Sequence, residues 1–141
     1  MLHHPHIPCN NKLLDPSKEL FLCSFFIRKA LKTMKINVLG TEYSIIETNE
    51  SNDAALSGKD GYCDTSIKLC VIDEMSSEDP SAKKNMPDYK KSVIRHELIH
   101  AFLYESGLDC NCYWANSEDL VDWIAIQFPK MQKAFEQANC L

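Results

Sequence analysis

From Lys35 onward, apolar and polar positions alternate in periods that predict secondary structure. Residues 35–39 and 42–47 place Ile36, Val38, Tyr43, Ile45 and Ile46 around Gly40 and Thr41, a pattern of two short strands joined by a turn. Residues 49–59 are polar, and Gly58 and Gly61 punctuate them, so a loop is expected there. Residues 61–64 lead into the apolar, β-branched run Ile67–Ile72, which predicts a second hairpin turning at Asp64, Thr65 and Ser66. A further polar loop is expected from Met75 to Pro87.

Asp88 opens a stretch read as a long helix running to about Ser106. Val93, Ile94, Leu98, Ile99, Ala101, Phe102 and Leu103 make it too apolar for a solvated helix, so most of it should be buried. Gly107 is placed to end it, because glycine enters the left-handed conformation without a Cβ penalty. After a loop holding Cys110, Cys112, Tyr113 and Trp114, Asn116 and Ser117 offer an N-cap, with Asp119 as capping-box partner. The helix that follows is expected over Ser117–Gln127. Pro129, a favourable first-turn residue, predicts a separate last helix ending near Ala138.

The first 33 residues differ in character from the rest. His3, His4 and His6 lie among prolines without helical register, and residues 18–33 suggest a short helix with one apolar face. Five basic residues face two acidic ones in this segment, leaving 10 against 18 from Met34 onward, a balance of -8. Residues 1–33 are therefore expected to be a dispensable extension, and 34–141 the domain proper. The whole chain has 141 residues, 45% of them hydrophobic, and a net charge of -5, which suits one globular domain and argues against a nucleic-acid partner. The longest apolar run, Leu20–Ile27, is too short to span a bilayer. Asp15 and Glu19 before it, and no small-residue cleavage site after it, argue against a signal peptide; a cytoplasmic location and no membrane partner are expected. The seven cysteines form no even framework and are read as free thiols. Cys110 and Cys112 with Cys63 and Cys70 invite a second metal site, but a one-residue gap is tighter than zinc knuckles use.

The chemistry concentrates in His96-Glu97-Leu98-Ile99-His100. Histidines four apart on a helix share a face, so both imidazoles can address one cation. Glu97 reaches the open side of such a cation, where it can take a proton from water and pass it to a leaving amine. An accidental match would bury two imidazoles and a carboxylate without a partner, which is costly. Catalytic zinc needs a third protein ligand and one open position. With no histidine after His100, that ligand must be a carboxylate or a thiolate. Glu105 and Asp109 follow too closely to fold back over the pair. Glu118, on the next helix, is the chosen ligand, and Asp122, four residues on, is suited to hold the second ring nitrogen of a ligand histidine. Cys110 and Cys112 remain its competitors.

With Glu118, Asp122 and Ala125 following the histidine motif, the chain resembles the zincin metallopeptidases, specifically the ImmA/IrrE-like family, with Ile124 in place of the usual Phe. The likeness runs from about Ile67 to Phe128, and 34–141 as a whole looks like small phage- or prophage-encoded proteins of this type. It implies an α+β, minimal zincin-like fold: a small antiparallel or mixed sheet packed on the His-Glu helix and a following Glu-ligand helix. It also implies zinc on His96, His100 and Glu118, Glu97 as base, Asp122 as orienting residue, and an extended peptide paired with an edge strand near Ile67–Ile72. The chain departs from the pattern in lacking a DNA-binding helix-turn-helix and a recognisable oxyanion donor, for which Tyr104, Tyr113 and Arg95 are the candidates. The leading expectation is an endopeptidase acting on a protein of a bacterial host cell, such as a phage or mobile-element regulator. The alternative is a zinc-containing binding module that sequesters a host or phage protein without cutting it. An intact Glu97 favours catalysis, since a binder has no need of that base.

Overall fold

The computed structural model describes residues 33–75 and 83–141. The expected extension, with the short helix expected over 18–33, thus lies outside the described residues except for Thr33, which is strand rather than helix, and so does most of the polar loop after Met75.

The alternating segments form a hairpin of β1 (Thr33–Val38) and β2 (Thr41–Thr48), with Val38 opposite Thr41. The turn is Leu39-Gly40, one residue earlier than expected. Both have positive φ (50° and 95°), as a two-residue loop with the twist of the strands requires. The second hairpin joins β3 (Gly61–Asp64) to β4 (Leu69–Asp73). Ile67 lies in the turn, 64% exposed, so the strand begins two residues later than the apolar run suggests.

The sheet order is β1-β2-β4-β3, with β2 and β4 parallel and the other pairs antiparallel. That order corrects one expectation: the Ile67–Ile72 segment is not an edge. It contributes β4, paired on both sides, which is why Cys70, Val71 and Ile72 are fully buried. The edge is β3.

Helix α1 (Met86–Glu105) lies on the sheet and starts two residues before Asp88. Asn85 caps it, accepting from the Asp88 N–H, and Pro87 sits in the first turn, where its missing donor costs nothing. Val93 and Ala101 join Val38, Tyr43, Ile45, Cys70 and Ile72 in the main core. At the far end Glu105 accepts from Thr41 Oγ1, Tyr43 Oη and Lys68 Nζ at 2.7–2.8 Å, which pins the helix to three points on the sheet. Gly107 follows in the left-handed conformation, as expected.

Two short turns then reverse the chain: α2 (Leu108–Asn111) and a 3-10 turn at Tyr113–Asn116. Helix α3 (Glu118–Gln137) returns across α1, with Val121 against Leu103 and Ala115 in a second core. Ser117 is the N-cap, but its side chain makes no capping bond, so the expected capping box is absent.

Pro129 does not open a new helix; it lies inside α3. Lacking an N–H, it leaves the carbonyl of Ala125 without its helical donor. Arg95 of α1 fills the gap: its Nε donates to Ala125 O at 2.6 Å, and Ala125 is almost fully buried. The helix survives the proline because a neighbouring helix supplies the donor. No described helix is long and apolar enough to cross a membrane.

Arg95→Met should therefore orphan a buried carbonyl and destabilise the protein by about 1–3 kcal/mol. In a Pro129→Ala background the helix regains its own donor, and the same change should cost less by about 1 kcal/mol or more. Denaturant unfolding of the four proteins measures this coupling; equal costs in both backgrounds would refute it.

Candidate metal centre

His96 and His100 lie one turn apart on α1, with ring centroids 4.8 Å apart and Nε2 atoms 3.0 Å apart. Glu118, the first residue of α3, brings Oε2 to 3.1 Å from His96 Nε2 and 3.4 Å from His100 Nε2. The three atoms form a triangle. An ion with four tetrahedral bonds of about 2.05 Å requires its ligand atoms to be separated by about 3.3 Å, so the donors fit such an ion in number, type and spacing. Among the described residues this is the one group of three or more His, Cys, Asp or Glu side chains close enough to share an ion. Neither Cys110 nor Cys112 belongs to it, and Cys112 instead packs beside Leu103 and Val121. The second site imagined around Cys63, Cys70, Cys110 and Cys112 does not assemble.

Asp122, one turn along α3 from Glu118, places Oδ1 2.9 Å from His96 Nδ1. A carboxylate there takes the Nδ1–H and leaves the Nε2 lone pair facing the other two donors. Burial lowers the pKa of His100, which keeps its imidazole in the neutral, ligating form.

Glu97 is not one of the three donors; it lines the same cavity and is 6% exposed. Burial pushes its pKa from 4.5 up to about 7; Glu118 adds to the rise, while His96 and Lys59 oppose it. Gly61 of β3 lies directly against it. A Cβ at that position would come within 3.1 Å of Glu97 Oε1 and 2.9 Å of the Val71 carbonyl, so only glycine lets the strand pass so close.

The centre opens into a cavity of about 490 Å³ whose walls include Lys59, Tyr62, Cys63, Asp109 and Asn116. A second cavity of about 360 Å³ shares Gly61, His96 and Glu97 with the first and extends towards Tyr89 and Asp122. Together they make a groove that passes the centre on both sides. Tyr104, Tyr113 and Arg95 line neither cavity. Tyr113 is almost wholly exposed, Tyr104 lies under Lys68, and Arg95 holds the Ala125 carbonyl. None of them faces the site. Gly61, Tyr62 and Cys63 do, and the sequence signal for them was only a glycine next to a short strand. No protein-family model, no curated protein and no solved structure matches the chain.

An acid whose pKa rises on folding holds its proton more tightly in the native chain. Its contribution thus turns unfavourable as pH climbs from 4.5 through about 7, and vanishes well below 4.5. In the metal-free protein, Glu97→Gln should gain stability relative to wild type at pH 8 but not at pH 4, by up to about 3 kcal/mol at 1.36 kcal/mol per pKa unit. Thermal unfolding in chelator at the two pH values tests it; a pH-independent difference would contradict the burial of this carboxyl.

Proposed function

We propose that the chain is a zinc-dependent endopeptidase of minimal zincin-like fold, akin to the ImmA/IrrE-like family, acting on an intracellular protein such as a phage or mobile-element regulator. The observation that carries this reading is the triangle of His96, His100 and Glu118 with the unused, buried carboxyl of Glu97 beside it. Two imidazoles, one carboxylate and a vacant direction are the donor set of catalytic rather than structural zinc. Zinc held there would supply a Lewis acid for a carbonyl oxygen and make water easier to deprotonate.

The chain's own residues supply the rest. Glu97 is poised near neutrality, where one group can both accept a proton from water and return it to a leaving amine. Asp122 fixes the tautomer of His96. The groove on both sides of Glu97 suits an extended polypeptide better than a compact small molecule. Among the described strands, β3 is the sheet edge that lines the cavity, and it would pair with such a segment.

Elemental analysis of purified protein should find one zinc per chain, lost in His100→Ala and retained in Glu97→Gln. Glu97→Gln should cut candidate host or prophage proteins about 10²–10⁴-fold more slowly than wild type. Cleavage unaffected by this change would refute the assignment of the base. A biological effect that survives it would show that the protein acts by binding alone.

A further inference from the structure

Strand β3 carries a second chemistry on the cavity wall. Cys63 stands directly opposite Cys70 of β4, with the two sulfurs 3.7 Å apart. Their place in the ladder follows from one bond: Asp73 N–H donates to Asp60 O, which makes 60 and 73 a hydrogen-bonded pair. Antiparallel rungs alternate, so 62 and 71 are bonded, while 61 with 72 and 63 with 70 are not. Non-bonded rungs bring facing side chains closest, with Cα atoms about 4.5 Å apart, at the short end of the range a disulfide spans.

Access to the two sulfurs is unequal. Cys63 is half-buried and lines the cavity beside Glu97 and the histidines, whereas Cys70 is fully buried beneath it. Cys70 Sγ has two acceptors in reach, Cys63 Sγ and, at 3.9 Å, the carbonyl of Glu97. A thiol proton on Cys70 therefore favours a thiolate on Cys63. The Cys63 thiol is accordingly held below the usual cysteine range, chiefly by Cys70 donating to it, and the Cys70 thiol is pushed up. Attacking and resolving sulfurs are thus distinguished by position: one is open to the cavity, the other waits behind it.

We propose that Cys63 and Cys70 form an oxidisable dithiol, which a hydroperoxide entering the cavity converts to a disulfide tying edge strand β3 to β4. Cys63 Sγ attacks the outer peroxide oxygen; the O–O bond breaks, and an alcohol (water, for hydrogen peroxide) departs. The sulfenic acid left on Cys63 is attacked by Cys70 Sγ, which forms the S–S bond. The hydroxyl group leaves with the Cys70 proton as water. Two thiols lose two electrons, the hydroperoxide gains them, and a small thiol reverses the change by exchange. The strand so fixed is the one whose Gly61 lies against Glu97, so oxidation stiffens the wall that any occupant of the groove must meet. The reaction does not depend on whether the neighbouring centre cuts peptides.

The full chain, treated with a small excess of hydrogen peroxide, capped with iodoacetamide after unfolding and digested with trypsin, provides the test. Cleavage after Lys59, Lys68 and Lys83 separates residues 60–68 from 69–83, one cysteine in each. Oxidised wild type should yield these two peptides joined, lighter by two hydrogens than their sum and released by dithiothreitol. In Cys63→Ser the joined species should be missing and Cys70 fully alkylated. Oxidised wild type should also melt at a higher temperature than reduced protein, a shift Cys63→Ser does not show. Zinc content should be unchanged by oxidation, because neither sulfur belongs to the donor triangle. Over-oxidation of Cys63 without the link, a link to another cysteine, or zinc released as the link forms would each overturn the proposal.

Discussion

Three lone-pair donors held about 3 Å apart without a proton between every pair repel one another, so their convergence must be imposed by the packing of α1 against α3. That packing is the constraint on which the site depends. Leu103, Ala115 and Val121 provide its apolar seam. Arg95 provides its polar one, by donating to a carbonyl that Pro129 has released. Asp122 adds a direct contact to a ligand histidine, so the carboxylates of α3 arrive as a pair. At the other end of α1, Glu105 is locked to Thr41, Tyr43 and Lys68, and its carboxyl is drawn down to about 2 by those three donors. The helix bearing the histidines thus has little freedom to slide along the sheet or away from α3.

The same arrangement explains why a carboxyl sits buried beside the histidines. Glu97 follows His96 on the helix, and the rotation that aims His96 at Glu118 turns Glu97 towards β3. There it meets Gly61, and desolvation dominates its titration. In an ordinary core such a group would be a defect. Beside three metal-type donors, a carboxyl pushed by burial towards neutral pH is the combination on which the proposed base rests, and a histidine pair that merely fills space would not need it. Strand β3 gains importance from it. One short edge strand presents glycine to Glu97, a thiol to the cavity and, among the described residues, an open edge of the sheet.

Local pattern made much of this legible. Alternation disclosed the first hairpin, apolar crowding disclosed α1, and Gly107 marked its end. The four-residue spacing of His96 and His100 fixed a shared face before any tertiary contact was known. Glu118 and Asp122 followed because the chain has no later histidine and the next helix carries acids at matching spacing. Elements governed by distant partners were read less well. Nothing local says that residues 69–73 lie between two strands, since the parallel partner β2 is more than twenty residues away in sequence. Pro129 reads as a boundary because the compensating donor, Arg95, belongs to another helix. Arg95 itself resembles a tolerant surface position for the same reason, and Cys112 resembles a ligand until its packing against Leu103 is seen.

The sequence by itself determined which side chains could bind an ion, because helical periodicity follows from a local hydrogen-bond pattern that each segment carries within it. It also determined the α+β class, through the change from two-residue to helical periods. Tertiary structure alone decided that Glu118 rather than a thiolate closes the triangle, that β3 and not β4 borders the groove, and that Cys63 faces Cys70 at the wall. Those outcomes depend on strand order and helix crossing, which arise from burial summed over the whole fold and leave no mark on any single stretch of chain.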